Sequence, residues 1–180
     1  MTFEEIYNQV KDIKEWMGRE DCYALYERAG QLKNALIVEI GSYKGISTKV
    51  MALASPTSKV IAIDPYVAFF NMPKPEEIMK TFLETVKGLN VELIRDKAEN
   101  VKWNKPIDFL HIDGDHRYAV LKKDIELFYP HLKKAGWMYV HDYTVGGLEE
   151  EGGRVKEVMD ELFGSKVLVI SGFGCIQKDE

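Results

Sequence analysis

The sequence predicts an α/β fold: a doubly wound, Rossmann-like, mostly parallel sheet of seven strands, with helices on both faces and an antiparallel hairpin at its C-terminal end. Three observations carry this prediction. Short apolar runs at Ala35–Ile40, Lys59–Ile63, Val91–Ile94, Ile107–Ile112 and Trp137–Val140 alternate with segments of helical periodicity. Such alternation implies parallel pairing through right-handed crossovers, which cover both faces of the sheet. The runs Lys166–Ile170 and Cys175–Gln177 flank Ser171-Gly-Phe-Gly174, a hairpin signal.

Each element follows from its residues. Phe3, Ile6, Val10, Ile13 and Met17 recur at helical spacing, so Thr2 to Leu32 is expected to form one or two amphipathic helices serving as a lid or packing element. One domain is expected, with residues 1–34 as this helical lid and 35–180 as the cofactor-binding sheet. A helix from Ile46 to Ala54 follows the first strand, and Asp64-Pro65 ends the second. The stretch Tyr66 to Pro75 has neither period and is expected to be a loop. Met79, Phe82 and Val86 mark a helix over Glu76 to Lys87. Tyr118, Leu121, Ile125, Phe128 and Leu132 mark another over 118–132. A glycine-rich loop, Gly146 to Gly153, leads to a helix carrying Val155, Val158, Met159 and Leu162.

The composition restricts the function classes. The chain has 180 residues, 46% of them apolar and 29% charged, with a net charge of −5. Folding a chain of this length removes roughly 70% of its unfolded surface from water, enough for a core without disulfides or structural metal. Cys22 and Cys175 lie far apart with no CxxC spacing, which fits a reducing compartment and gives no zinc site. No apolar run approaches the ~18 residues of a membrane span, and Glu4 and Glu5 stand where a signal peptide needs basic residues. A cytoplasmic location is expected. The acidic balance argues against nucleic acid as the main partner.

In such a sheet ligands bind at the carboxyl ends of the strands, near the switch in strand order. Gly41-Ser-Tyr-Lys-Gly45 follows the first strand, and its glycines let backbone approach a ligand ahead of a helix N-terminus. The same residues also serve an ordinary strand-to-helix turn. Tyr43 occupies the position where a dinucleotide fingerprint has glycine. Glu39 at the strand mouth repels a pyrophosphate and attracts an ammonium group, directly or through water. Asp64, 23 residues after Gly41, stands where a carboxylate can accept from both hydroxyls of a ribose, or cap the turn before Pro65. His111-Ile-Asp113-Gly-Asp115-His116 and His141-Asp142 end the fourth and fifth strands. Asp113, Asp115, His141 and Asp142 make a candidate set for magnesium, manganese or calcium, or alternatively caps for the following elements.

Val38-Glu-Ile-Gly-Ser-Tyr-Lys-Gly-Ile-Ser-Thr48, Ile63-Asp64-Pro65, Asp108-Phe-Leu-His-Ile-Asp-Gly-Asp-His116 and Gly136-Trp-Met-Tyr-Val-His-Asp142 together resemble a class I S-adenosylmethionine-dependent methyltransferase. The nearest resemblance is to the group containing macrocin O-methyltransferase and the cephalosporin hydroxylase proteins, and a more distant one is to catechol O-methyltransferases. It spans residues 35 to 142. The resemblance implies that Gly41, Ser42 and Gly45 receive the methionine moiety of S-adenosylmethionine, with Glu39 reaching its amino end through water. Asp64 would take the ribose, Lys97 and Ala98 would lie against the adenine, and Asp96 would bond its amino group. Asp113 would face the sulfonium. In metal-dependent relatives its counterpart holds magnesium, and His141 and Asp142 would complete that site. Relatives usually carry an acid where this chain has His141, which favours manganese, iron or no metal.

His116 matches the lysine base of the catechol enzymes, and an imidazole suits removal of a hydroxyl proton; a helix-start role is the alternative. Tyr66, Phe69, Phe70, Met72 and Tyr143 are candidates for a wall that excludes water, or for edge packing. The implied activity is O-methylation of a small hydroxylated acceptor by in-line displacement, with metal assistance and a homo-oligomer both left open. A nicotinamide-dependent oxidoreductase and a non-catalytic S-adenosylmethionine-binding module are the competing readings.

Overall fold

The protein is described by a computed structural model over residues 1–13, 17–68, 74–144 and 154–179. Seven strands form one sheet: β1 (Leu36–Ile40), β2 (Lys59–Ile63), β3 (Val91–Ile94), β4 (Ile107–Ile112), β5 (Leu132–Val140), β6 (Leu168–Ile170) and β7 (Phe173–Gln177). Their order is β3-β2-β1-β4-β5-β7-β6. Neighbours from β3 to β5 pair in parallel, and β7 is antiparallel to both β5 and β6. The chain runs outward from β1 to β3 and then restarts at β4 on the other side of β1. The switch point is therefore the crevice between β1 and β4.

Helices cover both faces, as expected. On one side α1 (Phe3–Tyr7), α2 (Arg19–Gly30) and α3 (Ile46–Ala54) pack on Ile37, Val60, Phe109, Tyr139 and Phe173. On that side too, α4 (Pro75–Thr85) packs through Ile78 and Phe82 on Ala62 and Tyr66. On the other side α5 (Tyr118–Phe128) and α6 (Val155–Phe163) pack on Val38, Ile40, Leu110, Ile112 and Met138. Strand side chains alternate between faces. Glu39 and His111, placed between these inward apolar residues, thus point to the α2–α3 side.

The structure departs from the sequence reading at several boundaries. Helix α5 stops at Phe128 rather than Leu132, because Pro130 lacks a backbone donor and forces a 3-10 turn over Tyr129–His131. Leu132 begins β5 instead, and the early start is accommodated by a register shift between Ile107 and Phe109. Near the N-terminus, among the described residues, Phe3–Tyr7 and Arg19–Gly30 are the α-helical spans, yet Val10 and Met17 are buried in one cluster with Phe3 and Ile6. Ser171 and Gly172 form the β6–β7 turn, with Ser171 at φ 53°. The expected loop of residues 146–153 and the wall candidates Phe69, Phe70 and Met72 lie outside the described residues.

Candidate functional site

Gly41, Asp64, Asp113 and His141 are each the first residue beyond the carboxyl end of its strand, β1, β2, β4 and β5 respectively. The sheet therefore sets these four positions in a row along one edge. Gly41 has φ 81°, and a Cβ there would stand 2.3 Å from the carbonyl oxygen of Asp113. Backbone from β1 and β4 meets at that point, so only glycine fits. Tyr43 (φ 42°) and Gly45 (φ 87°) complete the turn into α3, whose N-cap is Gly45 itself with no side-chain cap. A helix N-terminus without a side-chain cap is one that can receive a ligand.

Asp64 fastens this turn. Its Oδ2 accepts from the backbone N–H groups of Ser42 (2.9 Å) and Tyr43 (3.0 Å), and its Oδ1 accepts from that of Tyr66 (2.8 Å). A carboxylate has about four lone-pair directions, so acceptor capacity remains for a ligand hydroxyl. The Tyr66 hydroxyl lies 3.1 Å from Ser42 Oγ and donates to the Tyr43 carbonyl at 3.0 Å. Tyr66 is thus a buried tie between the two strand ends.

Glu39 is fully buried, with Oε1 3.0 Å from His111 Nδ1 and Oε2 accepting from Thr48 Oγ1. Both carboxylate oxygens are engaged by the protein itself. His111 Nε2 is also buried and has no hydrogen-bond partner among the described residues. Sequence reasoning passed over His111. Its signal was a titratable residue facing Glu39 across two otherwise apolar central strands.

Beside the β4 end, acids and imidazoles alternate. His116 Nδ1 lies 3.3 Å from Asp142 Oδ2, and its Nε2 lies 3.6 Å from Asp113 Oδ1. His141 Nδ1 lies 3.1 Å from Asp113 Oδ1 and 3.4 Å from Asp142 Oδ1, while its Nε2 lies 3.3 Å from Asp21 Oδ2. Burial disfavours a charged His141 ring, but hydrogen bonds to Asp113 and Asp21 outweigh it and push the pKa up to about 10. Burial likewise opposes ionisation of Asp21, and bonds from His141, Ser171 and Gly172 overcome it and hold that carboxyl well below its ordinary range. The bond to His116 does the same for Asp142, which sits at φ 60°. Asp21, on α2, was not among the sequence candidates; an acid in the first turn of an amphipathic helix gives no such signal.

Asp113, His141 and Asp142 do come together, but as ion pairs. Both ring nitrogens of His141 face carboxylates, an arrangement that favours the charged ring. Among the described residues, no group of three or more His, Cys, Asp or Glu is arranged to hold a metal ion. Asp115 instead pairs with Arg117.

The remaining candidates lie elsewhere on this edge. Asp96 Oδ1 accepts from Lys97 N–H (2.7 Å) and Asn100 Nδ2 (2.8 Å), capping the short turn in which Ala98 is buried and Lys97 exposed. Tyr143 is buried, donates to Asp160 at 2.6 Å and packs on Gly174, an edge-packing role. No helix among the described residues is long and apolar enough to cross a membrane.

Comparison with known proteins finds the same fold elsewhere. An uncharacterized protein of Acanthamoeba polyphaga mimivirus is 29% identical over 152 residues, covering 76% of this chain and 67% of that one. The Podospora anserina methyltransferase PaMTH1, solved with SAH, superposes with a TM-score of 0.74 at 15% identity, over 99% of this chain and 88% of that one. The O-methyltransferase NovP gives 0.69 at 15% identity (98% and 88%). The TDP-rhamnose 3'-O-methyltransferase of calicheamicin biosynthesis gives 0.63 at 14% identity (98% and 87%). At these identities the three structures establish a shared fold. The methyltransferase domain family model matches residues 38–143, more than half of the sequence and the segment that holds the glycine turn, Asp64, Asp113 and His141, and the chain belongs to that family.

Proposed function

We propose that the protein is an S-adenosylmethionine-dependent O-methyltransferase acting on a small hydroxylated acceptor. One observation carries the reading: along the strand edge at the β1–β4 switch point lie a glycine turn, the carboxylates of Asp64 and Asp113, and His116, whose buried Nε2 has no hydrogen-bond partner among the described residues. Carboxylates repel a pyrophosphate and suit a cationic, ribose-bearing ligand. When bound, S-adenosylmethionine supplies an electrophilic methyl group on a sulfonium, displaced in line by the acceptor oxygen. The O-methyltransferase neighbours, one of them a TDP-rhamnose 3'-O-methyltransferase, support this class of acceptor.

The residues then have distinct tasks. Gly41, Ser42 and Gly45 receive the methionine moiety, and the buried Glu39, its oxygens held by His111 and Thr48, acts on the charge of its amino end from behind that turn. Asp64 accepts from the ribose hydroxyls, Asp96, Lys97 and Ala98 line the adenine, and Asp113 faces the sulfonium. His116 removes the acceptor's proton. Donation from its Nδ1 to Asp142 leaves the Nε2 lone pair for the hydroxyl, and Asp113 lies close enough to stabilise the imidazolium that forms. Deprotonation by His116 needs no metal, so transfer is expected to be indifferent to chelator.

Isothermal titration tests the binding half of this reading. Saturable binding of S-adenosylmethionine and of its demethylated product is expected, with Asp64→Ala weakening it at least tenfold. Absence of binding to both overturns the assignment. Transfer abolished by chelator and restored by added metal would displace His116 as the base.

A further inference from the structure

The geometry assigns to Asp21 the part of a positioning residue: its carboxylate, delivered by the first turn of α2, seats the His141 ring against Asp113 and thereby aims Asp113 beside His116. An acid this close to a helix N-terminus normally interacts with that helix's own dipole. Asp21 also bonds outside α2 through both of its oxygens. Oδ1 accepts from Ser171 Oγ (2.6 Å) and Gly172 N–H (2.9 Å) in the β6–β7 turn, and Oδ2 faces His141 Nε2 at 3.3 Å. The approach depends on Gly172, where a Cβ would lie 3.0 Å from Asp21 Oδ1.

The ring is held from three sides. Asp21 takes Nε2, Asp113 takes Nδ1, and Phe173 packs on the ring with centroids 5.1 Å apart. A flip of the imidazole would set carbon atoms against both carboxylates, so this orientation is unique among the ring's two settings. Asp113 Oδ1, shared by His141 and His116, is the atom through which Asp21 reaches the candidate base. One charge on the N-terminal segment thus joins α2, the β5 end and the β6–β7 turn to the strand edge. Its consequence for methyl transfer rests on the function proposed above; the ring geometry does not.

The test is nitrogen NMR of the histidine rings in the full chain, with His141 assigned by its loss in His141→Gln. In the wild type a protected Nε2–H signal is expected from His141, in addition to one from Nδ1. Asp21→Asn keeps an acceptor for Ser171 and Gly172 but turns an amide donor toward the ring, so the Nε2–H signal should vanish while the Nδ1–H signal stays. Ser171→Ala loosens the anchor without touching His141 and should leave both signals in place. A wild type lacking the Nε2–H signal overturns the assignment even if no variant folds. So does Asp21→Asn with unchanged signals, or Ser171→Ala disturbing them equally. These spectra need neither cofactor nor acceptor, so their failure is separable from failure of the titration with S-adenosylmethionine.

Discussion

Glu39 on β1 and His111 on β4 face each other across paired strands, 3.0 Å apart, with both side chains fully excluded from solvent. Removing one partner of a buried ion or hydrogen-bonded pair strands the other, at a cost of about 3–5 kcal/mol. Glu39→Ala should therefore lower stability by that order in urea unfolding, because His111 and Thr48 both lose their acceptor. Glu39→Leu combined with His111→Phe replaces the pair by apolar groups and should recover most of the loss. If Glu39 also serves the cofactor, the double variant will fold well yet bind the demethylated cofactor weakly. Recovery of both properties together would reduce the pair to packing.

Gly41 and Gly88 share nearly the same backbone angle, φ 81° and 80°, but different surroundings. A Cβ at Gly88 meets nothing within 4 Å, whereas one at Gly41 collides with backbone of Asp113 and Gly114. Gly88→Ala should cost about 1 kcal/mol, the strain of a left-handed residue alone. Gly41→Ala should cost at least about 3 kcal/mol, since β1 and β4 must separate. Equal losses in parallel unfolding curves would contradict the close approach of the two strand ends.

These contrasts show what the sequence made legible. Alternating apolar runs located the strands because a parallel sheet covered on both faces needs nearly continuous apolar residues, and Gly41, Asp64, Asp113 and His141 follow from strand ends alone. Hidden were contacts set by tertiary packing. His111 looked like one more residue of a motif until β4 paired with β1 in register with Glu39. Asp21 lies 120 positions before His141, and no local pattern announces that α2 will dock there. That docking is what gives His141 a carboxylate at Nε2 as well as at Nδ1. Helix α5 was drawn too long because Leu132 keeps the helical spacing while already belonging to β5.

Asp124 on α5 is buried, and no salt bridge among the described residues repays its desolvation. Burial, with Asp115 and Glu99 nearby, pushes its carboxyl up to about 6 from 3.8. A raised carboxyl pKa costs stability above the folded value and costs nothing below the unfolded one. Asp124→Asn should thus stabilise the protein by on the order of 1–2 kcal/mol at pH 7.5, raising the melting temperature by about 2–8 °C, and the gain should disappear near pH 4. Scanning calorimetry of both proteins at the two pH values decides the matter; a gain that persists at pH 4 would point to a cause other than ionisation.

His141 titrates in the opposite sense. Its folded pKa of about 10 lies above the unfolded 6.5, so the stabilisation is complete below pH 6.5, declines as pH rises and is gone above about pH 10. Between pH 6.5 and 10 the wild type should lose on the order of 3 kcal/mol from this group, whose partner Asp21 is held below its ordinary carboxyl range. His141→Gln starts lower, because it strands those two acids, but carries no titrating ring and should lack this part of the slope. Urea unfolding at pH 6, 8 and 10 should bring the two proteins progressively closer together. Curves that remain parallel would mean that the ring is neutral in the folded protein, which would return His141 Nδ1 or Nε2 to the role of a metal ligand.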